Sequence, residues 1–477
     1  MSLKKFAKDT AIYGIATVLP RVINILLLRL FTNEMKTAQF SDATYFWIFA
    51  SFFNVILTYG METAFFRFFT KLNKDKNVIN TAFTSILISS FIFLVIILLF
   101  RYNIADILNF NVKYFTIMIW VTILDTLIVI PYAFLRVTNR PVRFAFYKIS
   151  NILLYVLAII FFFKLLPYLT TYNSRFGTFF HNNNAVYIFY STLFASTMTF
   201  ILFLPIIKNF KLKIDTVIWI KMLRYGLPIM IAGLAYIINE NLDKYLLRNM
   251  VSPEIMGAYA ATYKIGVIMT LYITAFRLGA EPFFFSHSKE KDAKQKYAKI
   301  LLWFTITGSI IYVFIVAYMD LISSFFIRKP EYFITISIVP IILIANLMLG
   351  IYYNLAIWYK LTDRTKFGMY LSILGAVITI LLNIFLIPVY GFIASAWTTL
   401  FAYGTMAIVS YFLGKKYYKV PYRPGKIIFY LVLSSIFSFV IFNYFYNDLI
   451  IKTVIFIIFI LIVFLLERRE FSSIRTE

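Results

Sequence analysis

Cysteine is absent from the 477 residues, which excludes a disulfide framework, a thiolate metal site and a cysteine nucleophile. Histidine is almost absent as well. His181 and His287 lie far apart, neither has ligand-like neighbours, and no bound metal is expected. Charge is scarce: Asp, Glu, Lys and Arg make up 14% of the chain, against about 25% in a typical soluble domain. No Gly-rich loop able to cradle phosphates occurs, so ATP hydrolysis by this chain is not expected. Segments of about ten alternating residues are missing, which excludes a transmembrane β-barrel. No small-residue cleavage pattern follows the first apolar run, so that run is expected to serve as an uncleaved start signal.

What the chain has in abundance is apolar surface. Hydrophobic residues make up 61% of positions and the mean hydropathy is +0.82. A soluble globule so composed would expose sticky surface on every side, so lipid is the solvent that fits. Runs long enough to span a bilayer, about 20 residues each, lie at 11–31, 43–66, 79–100, 114–135, 144–163 and 185–207. A basic connector, 208–224, separates these from runs at 226–247, 257–276, 300–326, 332–358, 367–387, 391–413, 427–446 and 449–466. The fold class predicted is therefore an all-α polytopic membrane protein with about 14 transmembrane helices.

The net charge of +25 sits in clusters between the runs, so it signals topology and not nucleic acid. With the N-terminus inside and strict alternation, about 33 Lys and Arg fall on the inner side and about 10 outside. Only Arg21, Arg29 and Lys264 are left within helices. An even number of spans and two cytoplasmic termini follow. The longest outer loop, 164–184, has about 20 residues and no predicted fold.

A faint internal echo divides the chain. Tyr13-Gly14 opens the first helix and Tyr225-Gly226 the seventh, each followed by an aromatic-led second helix at Tyr45 and Tyr259. The predicted organisation is two pseudo-symmetric six-helix lobes, 1–207 and 225–414, joined by a cytoplasmic linker, 208–224. Two further helices and a tail occupy 415–477. Repeats of this kind are common in transporters, with the substrate path at the lobe interface.

An ionisable group at bilayer depth costs several kcal/mol, so each needs a reason to be there. Arg21 follows Pro20 near the middle of helix 1, Arg29 lies nearer its outer end, and Asp125 is near the middle of helix 4. Glu240 and Asp243 occupy the outer half of helix 7, and Lys264 that of helix 8. At 1.5 Å rise per residue, Glu240 and Lys264 each sit roughly 10 Å below the outer surface, so an antiparallel hairpin could pair them. That pair is either a structural lock or part of a site. Asp243 and Lys244 lie close enough to the surface to snorkel, and a structural role is expected for Lys244. Glu62 and Arg67 read as interfacial, and Asn346, Asn354 and Asn383 as interhelical glue or ligand contacts.

A resemblance adds to this reading. Gly226-Leu227-Pro228, Asn239, Asp243-Lys244-Tyr245-Leu246-Leu247, Gly257-Ala258-Tyr259 and Tyr263-Lys264 follow one another as in the second lobe of Wzx-type polysaccharide flippases. Glu281-Pro282-Phe283-Phe284, the charged segment 289–299, Tyr390-Gly391-Phe392, Leu28-Arg29-Leu30 and Tyr59-Gly60 with Arg67 are also similar to that family. The likeness covers most of 1–420, and each motif is short. These flippases belong to the multidrug/oligosaccharidyl-lipid/polysaccharide exporter superfamily. Some lipid flippases carry several basic residues in the first-lobe cavity, whereas here Arg21 and Arg29 are the main candidates.

The resemblance implies a two-lobe, V-shaped alternating-access carrier in a bacterial inner membrane. Its cargo would be an undecaprenyl-diphosphate-linked oligosaccharide, the repeat unit of an O-antigen, capsule or exopolysaccharide, and its partners that lipid and the surrounding membrane lipids. Arg21, Arg29 and Lys264 are the candidate cations for the diphosphate or acidic sugars. Asp125, Glu240 and Asp243 are the candidates for a coupling ion, H+ or Na+, or for charge balance. No other cofactor is expected. A monomer is expected because one chain holds both lobes. The alternatives are a cation-coupled multidrug exporter, a lipid II-type flippase, and a membrane glycosyltransferase or polymerase. The enzyme is disfavoured because the outer loops are too short for a catalytic surface cluster.

Overall fold

The computed structural model describes the backbone of residues 3–172, 183–288 and 290–474, with side chains from residue 12 to residue 468 of that range. His181 lies outside the described residues. Among the described residues thirteen helices are long and apolar enough to cross a membrane, and a bent pair makes a fourteenth. In chain order these are α1 (Leu3–Glu34), α2 (Thr37–Lys71), α3 (Lys76–Leu99), α4 (Val112–Val137), α5 (Pro141–Tyr172), α6 (Ala185–Ile207) and α7 (Thr216–Met250). The bent pair α8 (Pro253–Gly266 and Ile268–Ser286, 40° apart) comes next. The series ends with α9 (Ala293–Ala317), α10 (Ile338–Leu361), α11 (Lys366–Tyr390), α12 (Phe392–Tyr417), α13 (Pro424–Tyr444) and α14 (Leu449–Arg468). Among the described residues there is no strand. The chain is a multi-pass membrane protein.

Local chemistry sets the helix ends. Asp75 caps α3 by accepting the Asn77 amide at 2.8 Å, Asn111 caps α4 by accepting that of Lys113 at 3.0 Å, and Asp215 caps α7 by accepting that of Ile218 at 3.0 Å. The Asp215 cap moves the start of α7 well upstream of the expected Gly226, so the last part of the basic connector is helix. Likewise α5 continues through a π-turn at Phe161–Leu165 as far as Tyr172, which absorbs the first part of the long outer loop. Arg277, one residue past the expected run 257–276, lies within the second half of α8. Tyr59 (φ 33°) and Gly60 (φ 72°) interrupt α2 with two left-handed residues.

Two compact units divide at Gly257 and Ala258. The first, Met1–Gly257, therefore takes in α7 together with the first six helices. Contacts along the whole of α7 explain this. Trp219 Nε1 donates to Ser85 Oγ at 2.7 Å, the Arg67 guanidinium lies 4.3 Å from the centre of the Tyr225 ring, and Arg248 reaches Asp42. Gly226 meets Gly60 so closely that a Cβ on Gly226 would come within 2.7 Å of the Tyr59 carbonyl oxygen. The core of this unit is aromatic and aliphatic, built on Met61, Phe65, Phe69, Phe83 and Ile130.

The second unit, Ala258–Glu477, packs α10 against α12, α11 against α12, and α9 against α10 and α13, with α14 on α9 and α13. Leu302, Val313, Tyr430 and Phe459 fill the seam beneath α13 and α14. One ion pair joins α13 to α14, and a second joins α14 to the segment that follows α9. Buried Glu467 accepts from Lys426 Nζ at 2.8 Å and from the Tyr430 hydroxyl at 2.7 Å, and buried Lys452 lies 2.6 Å from Asp320. Asn346 donates to the Gly266 carbonyl at 3.0 Å and so joins two helices, whereas Asn354 and Asn383 donate within their own helices.

Candidate functional site

Within the first unit, α2, α4 and α7 surround a cavity of about 570 Å³. Its lining follows from helical periodicity: Trp47, Ser51 and Asn54 on one face of α2, Thr122 and Asp125 on α4, and Gly233, Tyr236, Ile237, Glu240 and Asn241 on α7. Gly233 lets α7 approach α2, because a Cβ there would stand only 3.1 Å from Val55 Cγ1. Asn54 Nδ2 donates to Thr126 Oγ1 at 3.3 Å and bridges α2 to α4 beside the hollow.

The chemistry of the cavity is acidic. Two carboxylates, Asp125 and Glu240, line it together with amide and hydroxyl side chains, and none of its lining residues is Lys or Arg. Ser196 of α6 and Lys148 of α5 are the electrostatic neighbours of Asp125, and the Lys148 ammonium lies 4.5 Å from the centre of the Tyr132 ring. An assembly of carboxylate, amide and hydroxyl oxygens offers a hard cation the ligands it prefers. No group of three or more His, Asp or Glu side chains gathers in metal-binding geometry among the described residues.

The six residues singled out in the sequence are distributed unevenly. Asp125 and Glu240, from helices 115 residues apart in sequence by their numbering, share this one cavity. Asp243, one turn further along α7, does not line it. Its carboxylate accepts from Lys244 Nζ at 3.0 and 3.2 Å, with the side chains only 2% and 7% exposed. Lys244 therefore does not snorkel to the surface. It folds back, also donating to the Glu240 carbonyl at 2.6 Å, because an adjacent carboxylate and a helical carbonyl satisfy it inside the protein. Arg21 is exposed and Arg29 partly buried on α1, and neither lines the cavity. Lys264 belongs to the second unit. Glu62 faces Arg136 at 3.4 Å with both about two-fifths exposed, as suits an interfacial pair.

Some polar groups escaped the sequence reading. Asn54, Ser51 and Thr122 lie in solid apolar runs, and only their common helical phase with Asp125 and Glu240 marks them. Asp42 and Arg248, at the start of α2 and the end of α7, form a 2.7 Å pair that two loop-adjacent charges gave little reason to expect. In the second unit Glu281 accepts from Arg277 at 3.0 Å and Lys360 at 2.7 Å, and the Arg277 guanidinium lies 4.2 Å from the centre of the Tyr353 ring.

Comparison with known proteins places this architecture. The profile of the family described as "Polysaccharide biosynthesis protein" matches residues 6–286, and that of the MatE family matches residues 228–385. No curated protein matches. A solved structure of "Lipid II flippase MurJ, inward closed conformation" is similar over 96% of this chain and 99% of its own, at 17% identity and a TM-score of 0.73. An inward-facing multidrug resistance MATE family transporter of the MOP superfamily is similar over 85% of this chain and 94% of its own, at 12% identity and a TM-score of 0.62. The outward-facing conformation of such a transporter aligns at 12% identity over 87% of this chain and 95% of its own, with a TM-score of 0.59. At these identities the likeness establishes the fold, and the profile covering more than half of the chain establishes the family. The chain belongs to the polysaccharide biosynthesis protein family, and its fold is that shared by the lipid II flippase and multidrug transporter structures.

Proposed function

We propose that this transporter flips an undecaprenyl-diphosphate-linked oligosaccharide, the repeat unit of an O-antigen, capsule or exopolysaccharide, from the cytoplasmic to the outer leaflet. The observation that carries this reading is the family match over residues 6–286. The physical task is to take a diphosphate and its sugars past hydrocarbon, where uncompensated polar groups cost several kcal/mol each. Arg21 and Arg29 of α1 and Lys264 of α8 supply the positive charge for the diphosphate, and guanidinium forks match phosphate oxygens well. The polyprenyl tail stays in lipid throughout. The chain acts as a carrier without bond-making chemistry, as a monomer, in a bacterial inner membrane with both termini cytoplasmic.

Alternating access moves the lobes 1–207 and 225–414 about the 208–224 connector, so that the contacts α7 makes here with α2 and α3 part as the carrier opens, with α13 and α14 as an addition. Asp125 and Glu240 take up and release a coupling cation, Na+ or H+. The support for this assignment is that these two carboxylates line one cavity together with the amide and hydroxyl groups of Asn54, Asn241, Ser51 and Thr122. Asp243 balances the charge of Lys244.

The match of residues 228–385 to the MatE profile favours a second reading, a cation-coupled exporter of drugs. Purified protein in vesicles separates the two. Flipping of a polyprenyl-diphosphate oligosaccharide without uptake of organic cations supports the first reading, and the reverse result supports the second.

A further inference from the structure

The first unit holds a second hollow, larger than the acidic one. At the end of the unit where α2 turns into α3, α4 into α5 and α6 into α7, a cavity of about 1080 Å³ opens. Lys74, Lys76, Arg140, Arg143 and Lys211 line it, and no Asp or Glu does. Among the described residues none of these five cations forms an ion pair. The acids next to them in sequence are occupied as helix caps: Asp75 accepts the Asn77 amide and Asp215 the Ile218 amide. Five like charges around one space repel each other, and a bound anion is what relieves that repulsion.

The walls are built and not improvised. The Lys211 amide donates to Asn80 Oδ1 at 2.9 Å and the Asp215 amide to Thr81 Oγ1 at 3.0 Å, which fastens the 208–215 connector onto α3. Phe134 lies between Phe69 and Phe210 with ring centres 6.3 and 5.8 Å away, and the Arg140 guanidinium lies 5.8 Å from the centre of the Phe134 ring. The N-terminus of α5, where Arg140 provides no side-chain acceptor, adds the positive end of a helix whose first stretch, Pro141–Ile160, runs 20 residues before the π-turn.

The mouth says which anion. Val142 and Phe146 line the cavity yet are 66% and 57% exposed. Leu153, Leu157 and Ile160 continue the same exposed apolar stripe up α5 at helical spacing. Stripes like this face lipid on the other spans too, so the hollow opens onto the bilayer, where a phospholipid can lay its acyl chains along α5 and its phosphate among the cations. Basic hollows between helices at a membrane surface are known to hold anionic head groups. We propose that this hollow is a binding site for an anionic phospholipid, with Arg140, Arg143 and Lys211 holding the head-group phosphate and Val142 and Phe146 the upper acyl chain. The site is separate from the acidic cavity, and the proposal does not depend on the identity of the cargo.

The test is native mass spectrometry of the full-length protein released from detergent, titrated with phosphatidylglycerol, phosphatidylcholine or inorganic phosphate. Wild type is expected to retain phosphatidylglycerol over phosphatidylcholine. The triple variant Arg140→Gln/Arg143→Gln/Lys211→Gln should bind it at least about tenfold more weakly. Val142→Ser/Phe146→Ser should weaken phosphatidylglycerol binding several-fold. Lys415→Gln/Lys416→Gln/Lys419→Gln, which removes equal charge from the second unit, should bind like wild type. Equal binding by wild type and the first triple variant overturns the proposal, as does equal loss in both triple variants. Competition by inorganic phosphate at matched concentration, with the Val142/Phe146 variant unaffected, marks a free-anion site and overturns it too.

Discussion

Arg248 Nη2 donates to Asp42 Oδ1 at 2.7 Å, while Nη1 donates to Ser41 Oγ at 2.8 Å and the guanidinium lies 4.6 Å from the centre of the Tyr45 ring. The last turn of α7 is thereby tied to the first turns of α2. Asn183 donates to the other oxygen of Asp42 at 3.0 Å, so the carboxylate is held from two sides. Arg248→Ala should lower stability in detergent by about 1–3 kcal/mol, read from the thermal midpoint, because hydrogen bonds to charged groups are lost. Arg248→Lys should recover only part of this, since an ammonium cannot serve Asp42 and Ser41 in the same planar fork. A midpoint unchanged in both variants would show that the tie contributes nothing.

At the other end of α7 the contact is backbone on backbone. Gly226→Ala places a methyl 2.7 Å from the Tyr59 carbonyl oxygen, so α7 must move away from α2 or the variant must fail to fold well. Gly279→Ala provides the contrast: that residue is helical and exposed, and its added Cβ meets nothing within 4 Å. Helix propensity alone should then stabilise the Gly279 variant by about 0.5–1 kcal/mol. Thermal midpoints of the two purified variants should move in opposite directions.

The Asp243–Lys244 pair makes a third case. Both side chains are almost fully buried at 3.0 Å, so Asp243→Ala leaves an ammonium inside the protein and should cost about 3–5 kcal/mol. Asp243→Ala/Lys244→Met removes both charges and should cost clearly less. A double-mutant cycle on denaturation midpoints measures the difference, and simple additivity would contradict a paired role.

Asp125 and Glu240 test the coupling proposal. Asp125→Asn and Glu240→Gln keep side-chain volume and remove negative charge, so each should abolish the response of transport to an imposed Na+ or proton gradient. Cargo affinity should change by less than about threefold, since the diphosphate is assigned to cations elsewhere. Transport assays under each gradient separate the two effects. Gradient dependence that survives both substitutions would remove these carboxylates from the coupling step.

Much of the architecture was legible because lipid leaves a coarse imprint. Fourteen runs of apolar residues correspond one to one with α1–α14, and their order and number needed no packing information. Breaks within spans were less visible. The left-handed Tyr59-Gly60 step in α2 and the bend near Val267 in α8 depend on what the helix packs against. Depth could be counted from the sequence, so Asp125 and Glu240 stood out, but rotation about the helix axis could not. Rotation is what turns both carboxylates toward one cavity and turns Asp243 away to Lys244. The basic hollow gathers Lys74, Arg140 and Lys211 from three separate connectors, which the sequence shows only as an excess of positive charge on one side.

The most direct measurement is the rate at which a labelled polyprenyl-diphosphate oligosaccharide crosses the bilayer of vesicles holding wild-type protein or Arg21→Ala at equal, folded density. Wild type should speed the crossing well above protein-free vesicles, Arg21→Ala should fall back to that background, and Arg21→Lys should lie between. Crossing by the Ala variant as fast as by wild type would contradict the role of Arg21, and no acceleration by wild type under any ion gradient would contradict flipping itself.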